Sequence, residues 1–412
     1  MDKLFGIFGD ISHTKLGGAD SFSDQLNCKH TVYILSLVAI LSTTRFFVDD
    51  PITCHCPNQF TSSQVDYTEK VCWVTNTHYV PFDRAYLPKE GDPNKKFISY
   101  YQWIPLFLAL QALLFYLPRF TWKNLSRKSG LIVSNITDGC IECQKKAYSD
   151  GAEKVMDSLI KYMSRFLREY SRNLRAKKAF QYFFRGNYLI LVYALIKILY
   201  LANVIGQLFL LNAFLGNEFH IYGIEVIRKM LRDEPWSTSH RFPRVTICDF
   251  ELRVLGNVHR HTVQCVLPMN LFYEIIFIFI WFWFVLVAVS SLASLVFWLG
   301  SNLRLSGHES YIRQRLLVSD KLGRDQRRDV LTFVRDHLRR DGCFIVRMAA
   351  ENSNDLVTSE LIHGLWEDYK TILSKTNNND DDESAALNDE FNVNPRKSDE
   401  TSNIGVTETR RF

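Results

Sequence analysis

Cysteine is the residue type in this chain whose spacing could support chemistry, either as disulfides or as a thiolate site. Two pairs stand at similar spacing in two polar stretches of the chain, Cys54 with Cys72 and Cys248 with Cys265. In an oxidising compartment such pairs predict disulfides that shape the loops, and four cysteines allow three connectivities. Cys56, in the run CHCP, is either a free thiol or a replacement for Cys54 as a disulfide partner.

Other patterns that could carry catalysis are weak or missing in the sequence. Cys140 and Cys143 form a C-x-x-C without a second pair or a βαβ context, so coincidence explains them better than a zinc or redox site. His259 and His261 form an H-x-H with no carboxylate in ligand spacing, and we interpret them as loop residues. No phosphate-binding loop, nucleophile elbow or H-E-x-x-H motif occurs. We therefore expect no enzyme activity, no catalytic residues, no cofactor and no metal site.

The elements that position these residues are four apolar blocks, which the average composition hides. The 412 residues are 47% hydrophobic, with a net charge of +5 and a mean hydropathy of -0.08, as in a soluble protein. The apolar residues are nevertheless concentrated in 31–47, 98–118, 186–212 and 268–299. Because about 20 apolar residues cross the hydrocarbon core as a helix, the blocks predict four transmembrane helices. A soluble protein with buried helices is disfavoured, because core helices rarely run this long without charge.

The distribution of basic residues predicts the topology. Most Lys and Arg residues lie in 119–185 and 300–412, and few lie in 48–97 and 213–267. The positive-inside rule therefore places segment 1–30 and both basic segments in the cytosol, and the two cysteine-containing loops outside the cell. Adjoining membrane lipid explains the basic charge, so we expect no nucleic acid as a partner.

The cytosolic segments differ in character. Residues 119–185 form a basic loop with helical periodicity, and 300–375 is a second helical region that completes a cytosolic dome. Residues 376–412 are acidic and poor in large apolar side chains, which predicts disorder. The predicted fold class is an all-α polytopic membrane protein with four transmembrane helices, disulfide-stapled extracellular loops that could hold short β-strands, and a helical dome.

Several sequence motifs carry a family resemblance. The segment YYQWIP, from Tyr100 to Pro105, resembles the YYQWVP signature of the innexins, the invertebrate gap-junction proteins, with Ile104 in place of Val. The segments DPITC, ALQALLFYLPR, FPRVTICDF and HLRRDGCFIVRM are also similar to that family, and the resemblance covers roughly residues 20 to 370. Cys56 is the main departure from the family pattern.

The resemblance implies both an assembly and a disulfide pairing. Subunits of this family assemble six or eight to a ring around an aqueous pore, with copies of themselves or also with other innexins. Two such hemichannels dock between adjacent cells and pass ions and small solutes, which implies a plasma-membrane protein at gap junctions. The family pattern pairs each cysteine of one loop with a cysteine of the other, here Cys54 with Cys265 and Cys72 with Cys248.

Polar residues near the first span indicate where a pore could lie. The first block is the most polar of the four, and Arg45, Asp49 and Asp50 at its outer end would form an outer vestibule that biases ion selectivity. The alternative is that Arg45 only reaches to the membrane interface. The N-terminal segment is amphipathic, with Asp2, Lys3 and Asp10 on its polar face. It could line the pore mouth, or lie on the inner leaflet.

Two residues inside the spans are unusual. Pro105 is the last residue of the YYQWIP segment, and we expect it to kink the second span, with or without a role in gating. Lys197 lies near the middle of the third block, where pairing within the bundle is favoured over a role in the pore. The alternatives to a gap-junction channel are a hemichannel that does not dock and a non-conducting four-span adhesion or scaffold protein.

Overall fold

The computed structural model describes residues 21–48, 50–80, 97–146, 151–172, 187–216, 219–233, 241–302, 305–318 and 327–392. The described chain is mostly helical. Four segments are long and apolar enough to cross a membrane: Phe22–Arg45, Ile104–Arg127, Tyr188–Leu215 and Met269–Ser301. The four-span membrane fold expected from the apolar blocks is therefore confirmed.

The helices of the described residues are numbered in chain order. They are α1 (Phe22–Gln25), α2 (Val32–Val48), α3 (Ser62–Val74), α4 (Ile104–Arg127), α5 (Val133–Lys145), α6 (Gly151–Arg172), α7 (Tyr188–Leu215), α8 (Tyr222–Leu231), α9 (Met269–Asn302), α10 (Leu305–Val318), α11 (Arg327–Thr332), α12 (Arg339–Asn352) and α13 (Asp355–Asn392). A π-helical turn, Leu26–Thr31, joins α1 to α2, and a second, Phe333–Leu338, joins α11 to α12.

The four spans form one helix bundle. Helix α2 packs against α4, α4 against α7, and α7 against α9. The shared core consists of large apolar side chains from each span, including Leu35, Phe115, Val204, Phe277 and Phe284. The opposite faces of these helices expose many Leu, Ile, Val and Phe side chains, as expected of helices that stand in lipid.

The loops after the first and third spans combine into one sheet domain at one end of the bundle. Its strands are β1 (Thr53–His55), β2 (Thr77–His78), β3 (Phe97–Ile98), β4 (Val245–Val254) and β5 (Asn257–Val266), antiparallel and in the order β1-β5-β4-β2-β3.

Strands β4 and β5 form a long hairpin that extends beyond the rest of the sheet. Their register places Val245 opposite Val266 and Val254 opposite Asn257. Strand β1 pairs only with residues 264–266, and β2 pairs with β4 only at Ile247. The distal half of the hairpin is therefore left uncovered by the other described strands.

The remaining helices form a helical domain at the other end of the bundle. It comprises α5, α6 and α10–α13, whose cores share buried apolar residues such as Ile136, Met163, Phe333 and Trp366. Tyr193 and other residues near the start of α7 belong to the same core, so the helical domain is continuous with the bundle.

The second span differs from the sequence-based expectation at its prolines. Helix α4 begins at Ile104, so Pro105 lies in its first turn, where the missing N–H would have had no partner. The predicted kink at Pro105 is therefore wrong. The proline inside this helix is Pro118, which was expected to end the span, and the helix continues to Arg127.

The last helix also differs from the expectation. Composition predicts disorder from residue 376, whereas α13 continues to Asn392. A helix nucleated by its packed first turns propagates at little further cost per residue, so the acidic segment can extend it. Residues 393–412 lie outside the described residues.

Candidate functional site

Two disulfides join the two loops within the sheet domain. Cys54 on β1 bonds to Cys265, which lies directly opposite it on β5. Cys72 on α3 bonds to Cys248 on β4, so α3 is held against the sheet. The four cysteines are buried, and their pairing is the one that the resemblance implies. Each bond joins one loop to the other, which fixes the two loops as a single unit.

Cys56 is a free, half-buried thiol beside these bonds. Burial raises its pKa, so the thiol is protonated at neutral pH and is a poor competitor for Cys54. The sulfurs of Cys54, Cys72 and Cys265 lie within 4.8 Å of one another. A disulfide sulfur offers no thiolate, so this cluster is not a set of metal ligands.

The segment YYQWIP connects the start of α4 to both loops. The Tyr100 hydroxyl donates a hydrogen bond of 2.8 Å to the carbonyl oxygen of Arg241, in the second loop. The Gln102 side-chain amide donates to the carbonyl oxygen of Trp73, in the first loop. The Tyr101 ring is buried against the Trp73 ring, with centroids 4.9 Å apart. This motif therefore anchors the sheet domain onto the second span.

The tip of the β4–β5 hairpin is apolar and projects into solvent. Leu255 and Gly256 form the two-residue turn, with φ of 51° and 89°, as a tight hairpin with a primed turn requires. The Leu255 side chain is 100% exposed. Nearer the base, the His261 ring packs against the rings of Phe60 and Phe250, at 5.3 and 5.6 Å between centroids. His261 is thus a packing residue of the hairpin.

The end of the first span next to the sheet domain carries the described part of the predicted vestibule. Arg45, in α2, and Asp50 are exposed, and so is the indole of Trp103 at the base of the sheet domain. The exposed face of α2 also carries Tyr33 and Leu41. The other predicted pore residues, Asp2, Lys3, Asp10 and Asp49, lie outside the described residues.

A buried ion pair crosses the bundle near its junction with the helical domain. Lys197 Nζ lies 2.8 Å from Asp24 Oδ1, and both side chains are 3% exposed. Lys197 also donates to Ser294 Oγ at 2.8 Å, and the Tyr193 hydroxyl donates to Asp24 Oδ2 at 2.7 Å. The predicted pairing of Lys197 within the bundle is therefore confirmed.

The π-helical turn before α2 is held against the fourth span. The Asn27 side-chain amide donates to Ser291 Oγ at 2.8 Å, and the Trp283 indole N–H donates to Thr31 Oγ1 at 2.9 Å. The entry to the first span is thus positioned by hydrogen bonds from α9. Since a π turn widens the helix locally, it lets these polar groups reach their partners.

The C-x-x-C motif lies inside the helical domain. Cys140 and Cys143 on α5 are buried and form no disulfide. Burial raises the pKa of Cys140 to about 12 and also raises the pKa of Cys143. Both residues are protonated thiols at neutral pH, which fits a packing role better than a thiolate site.

The sequence indicated that Lys197 pairs within the bundle, but it did not indicate which residues are its partners. Asp24 stands just before the first apolar block, and an acidic residue at a span boundary was the available signal for a partner of Lys197. Tyr193 and Ser294 carried no such signal, because their types are ordinary in apolar helices. Their roles follow from the packing of α1, α7 and α9.

Comparisons with known proteins give one consistent result. The family model described as Innexin matches residues 20–369. The chain is 37% identical over 358 residues to Innexin unc-9 of Caenorhabditis elegans, which covers 85% of this chain and 92% of that protein. It is 34% identical over 371 residues to Innexin-11 of the same organism, covering 85% and 79%. It is 29% identical over 388 residues to Innexin-19 of Caenorhabditis briggsae, covering 87% and 88%.

Proposed function

The chain belongs to the innexin family, and we propose how its described parts act in the gap-junction channel of which it is a structural subunit. The observation that carries the proposal is the sheet domain. There two disulfides and the YYQWIP segment join both loops into one body, and its hairpin projects beyond the rest of the sheet. A docking surface that must meet a partner in register needs such pre-organisation.

The subunits form a ring, six or eight to a hemichannel, which other innexins can join. The first span lines the pore, which is supported by the mixed exposed face of α2 with Tyr33, Thr44 and Arg45. The amphipathic N-terminal segment lies in the pore mouth, with Asp2 and Lys3 toward the ions, together with Asp10 on the same polar face.

The outer vestibule carries fixed charge of both signs. Arg45 ends the part of the first span that is apolar enough to cross the membrane, and Asp49 and Asp50 follow it within five residues. Charged rings at a pore entrance attract counter-ions and repel co-ions, so these residues bias the ion selectivity of the hemichannel.

The hairpin tip docks onto a hemichannel of the apposed cell. Leu255 is fully exposed although it is apolar, and it is repeated in every subunit of a ring. Burying such a side chain against a partner is favourable, whereas leaving it in water at a cell contact is not. The protein then acts in the plasma membrane at gap junctions. Both termini are cytosolic, which is supported by the basic segments on that side.

Paired-cell recording tests the proposal. Cells that express the chain are brought into contact in pairs, and junctional and single-cell currents are recorded. We expect junctional current between paired cells. Current in single cells only identifies an undocked hemichannel, and the absence of both currents, with the protein present at the surface, identifies a non-conducting adhesion protein.

A variant at the hairpin tip separates docking from conduction. Leu255→Asn keeps the turn, because asparagine accepts the left-handed conformation before glycine, and it removes the apolar contact. A contact worth about 1.4 kcal/mol changes a binding constant tenfold, so junctional conductance should fall roughly tenfold with single-cell current unchanged.

Leu356→Asn is the matched control, because Leu356 is 75% exposed on α13 at the other end of the molecule. It should leave junctional conductance unchanged. Equal junctional conductance in Leu255→Asn and the parent would contradict the assignment of docking to the tip.

A further inference from the structure

Helix α8 follows the third span and shows three distinct faces. Tyr222, Gly223 and Val226 form a buried face against the fourth span. Ile224, Ile227 and Leu231 recur at three- and four-residue spacing and are 49%, 42% and 83% exposed. The charged residues occupy the remaining arc of the helix: Glu225, Arg228, Lys229 and Arg232. An exposed isoleucine and leucine face next to a charged arc is unusual for a helix in water.

The depth of α8 is fixed by its packing on α9. The apolar face that α9 exposes begins at Leu271 and Phe272. Gly223 packs directly against the Trp281 ring, and the backbone of Trp281 lies nine residues after Phe272, about 14 Å of helix rise. Phe219, just before α8, contacts Phe277 at 6.2 Å between ring centroids. Helix α8 therefore lies beside the segment of α9, Met269–Ser301, that is long and apolar enough to cross a membrane.

The charged arc of α8 faces the sheet domain. Glu225 pairs with Lys229 at 3.1 Å and with Arg241 at 2.8 Å. The backbone carbonyl oxygen of Arg241 also accepts the hydrogen bond from the Tyr100 hydroxyl at the base of the sheet domain. The side of α8 that carries Glu225 is therefore the side nearer that domain. The exposed apolar face lies on another arc, beside the Gly223 face that packs on the fourth span.

We propose that α8 is an interfacial helix embedded in the outer leaflet of the membrane that holds this subunit. Ile224, Ile227 and Leu231 lie among the acyl chains. Arg228 and Arg232, on the charged arc, bind the phosphates of the lipid headgroups. The occupant of this face is phospholipid, because α8 packs on α9, which exposes Ile275, Phe279 and Phe282 in the same region, and because cationic side chains border the face. The helix thereby fixes the height of the sheet domain above the bilayer.

Spin-label accessibility in intact rings tests this placement. A nitroxide is attached at Ile227→Cys in a Cys56→Ser background, and the rings are held in phosphatidylcholine nanodiscs. Collision rates with oxygen, which partitions into lipid, and with a water-soluble nickel chelate are measured by electron paramagnetic resonance. Val289→Cys, on the exposed face of α9, is the lipid reference, and Leu255→Cys, at the hairpin tip, is the water reference. The background without an added cysteine controls for labelling of the buried thiols.

The expected result is a severalfold higher oxygen-to-nickel ratio at Ile227 than at Leu255, approaching that at Val289. At Arg228→Cys, one residue away and on the charged arc, the ratio should fall toward the water reference. A nickel-accessible label at Ile227 would place the face in water and overturn the proposal. Low accessibility to both reagents would place a neighbouring subunit on this face and overturn it as well. Both collision rates are measured without channel current. A failure of this proposal can therefore be distinguished from a failure of the proposed channel function, which paired-cell recording tests.

Discussion

At the scale of single residues, the Asp24–Lys197 ion pair is the contact whose loss we expect to cost the most, because it is buried within the transmembrane bundle. Both side chains are 3% exposed, and Tyr193 and Ser294 form further hydrogen bonds with the pair. Such a pair adds little net stability over an apolar substitute, but removal of one partner leaves a buried charge uncompensated. The pair also joins the entry of the first span to the third and fourth spans.

We predict that Lys197→Met lowers the free energy of unfolding by about 3–5 kcal/mol, the usual penalty for breaking a buried pair. The measurement is unfolding of the purified protein in mixed micelles by titration with a denaturing detergent. Asp24→Asn combined with Lys197→Met should recover part of the loss, because the uncompensated carboxylate is then gone.

Lys161→Met is the control, because Lys161 pairs with Asp157 at 2.7 Å on an exposed face of α6. Exposed pairs contribute less than about 1 kcal/mol, so this variant should be nearly neutral. Equal losses from Lys197→Met and Lys161→Met would show that the buried pair has no special role.

At the scale of elements, the approach of α8 to α9 depends on one glycine. A Cβ atom at Gly223 would overlap the Trp281 ring, which is itself buried in the bundle core. A rigid ring cannot yield as the end of a flexible side chain does, so α8 must move if the position gains a methyl group.

We predict that Gly223→Ala destabilises the protein by about 1–3 kcal/mol, the range for overpacking a well-packed site. The measurement is the thermal midpoint of ring dissociation and unfolding, followed by size-exclusion chromatography. Gly206→Ala in α7 is the matched control, since a Cβ there meets no heavy atom within 4 Å. That variant should be neutral or slightly stabilising, and a loss of the same size would refute the packing argument.

At the scale of the whole molecule, the chain has two ends of different construction. The sheet domain is held by two disulfides, which fits an oxidising compartment, whereas Cys140, Cys143 and Cys343 at the other end are free buried thiols. The disulfides close loops of 211 and 176 residues, so they tie the first pair of spans to the second pair. The covalent chemistry and the basic charge therefore support the same orientation.

Epitope tags test this orientation. We predict that tags at the N-terminus and at the C-terminus bind antibody only after the cells are permeabilised, because the proposed topology places both termini in the cytosol. A tag inserted between Leu255 and Gly256 should bind in intact cells, since this tip is fully exposed at the opposite end. Binding of a terminal tag in intact cells would contradict the proposed topology.

The sequence by itself determined the fold class and the family. Crossing hydrocarbon requires apolar length within each helix, so four spans can be read from local composition without knowing what each helix contacts. The YYQWIP segment and the two cysteine pairs were equally local, and they carried the resemblance and the expectation of disulfides.

Only the tertiary structure decided which distant groups meet. The pairing of Lys197 with Asp24, the anchoring of YYQWIP to Trp73 and Arg241, and the packing of α8 on α9 depend on how separate helices pack. Pro105 was misjudged for a related reason. A proline kinks a helix when it lies in the interior but is accommodated in the first turn, and the sequence did not show where the helix starts. The free energy of transferring a helix into lipid is a sum over residues that are neighbours in the sequence. Which side chains pair with each other is instead set by contacts between residues far apart in the chain.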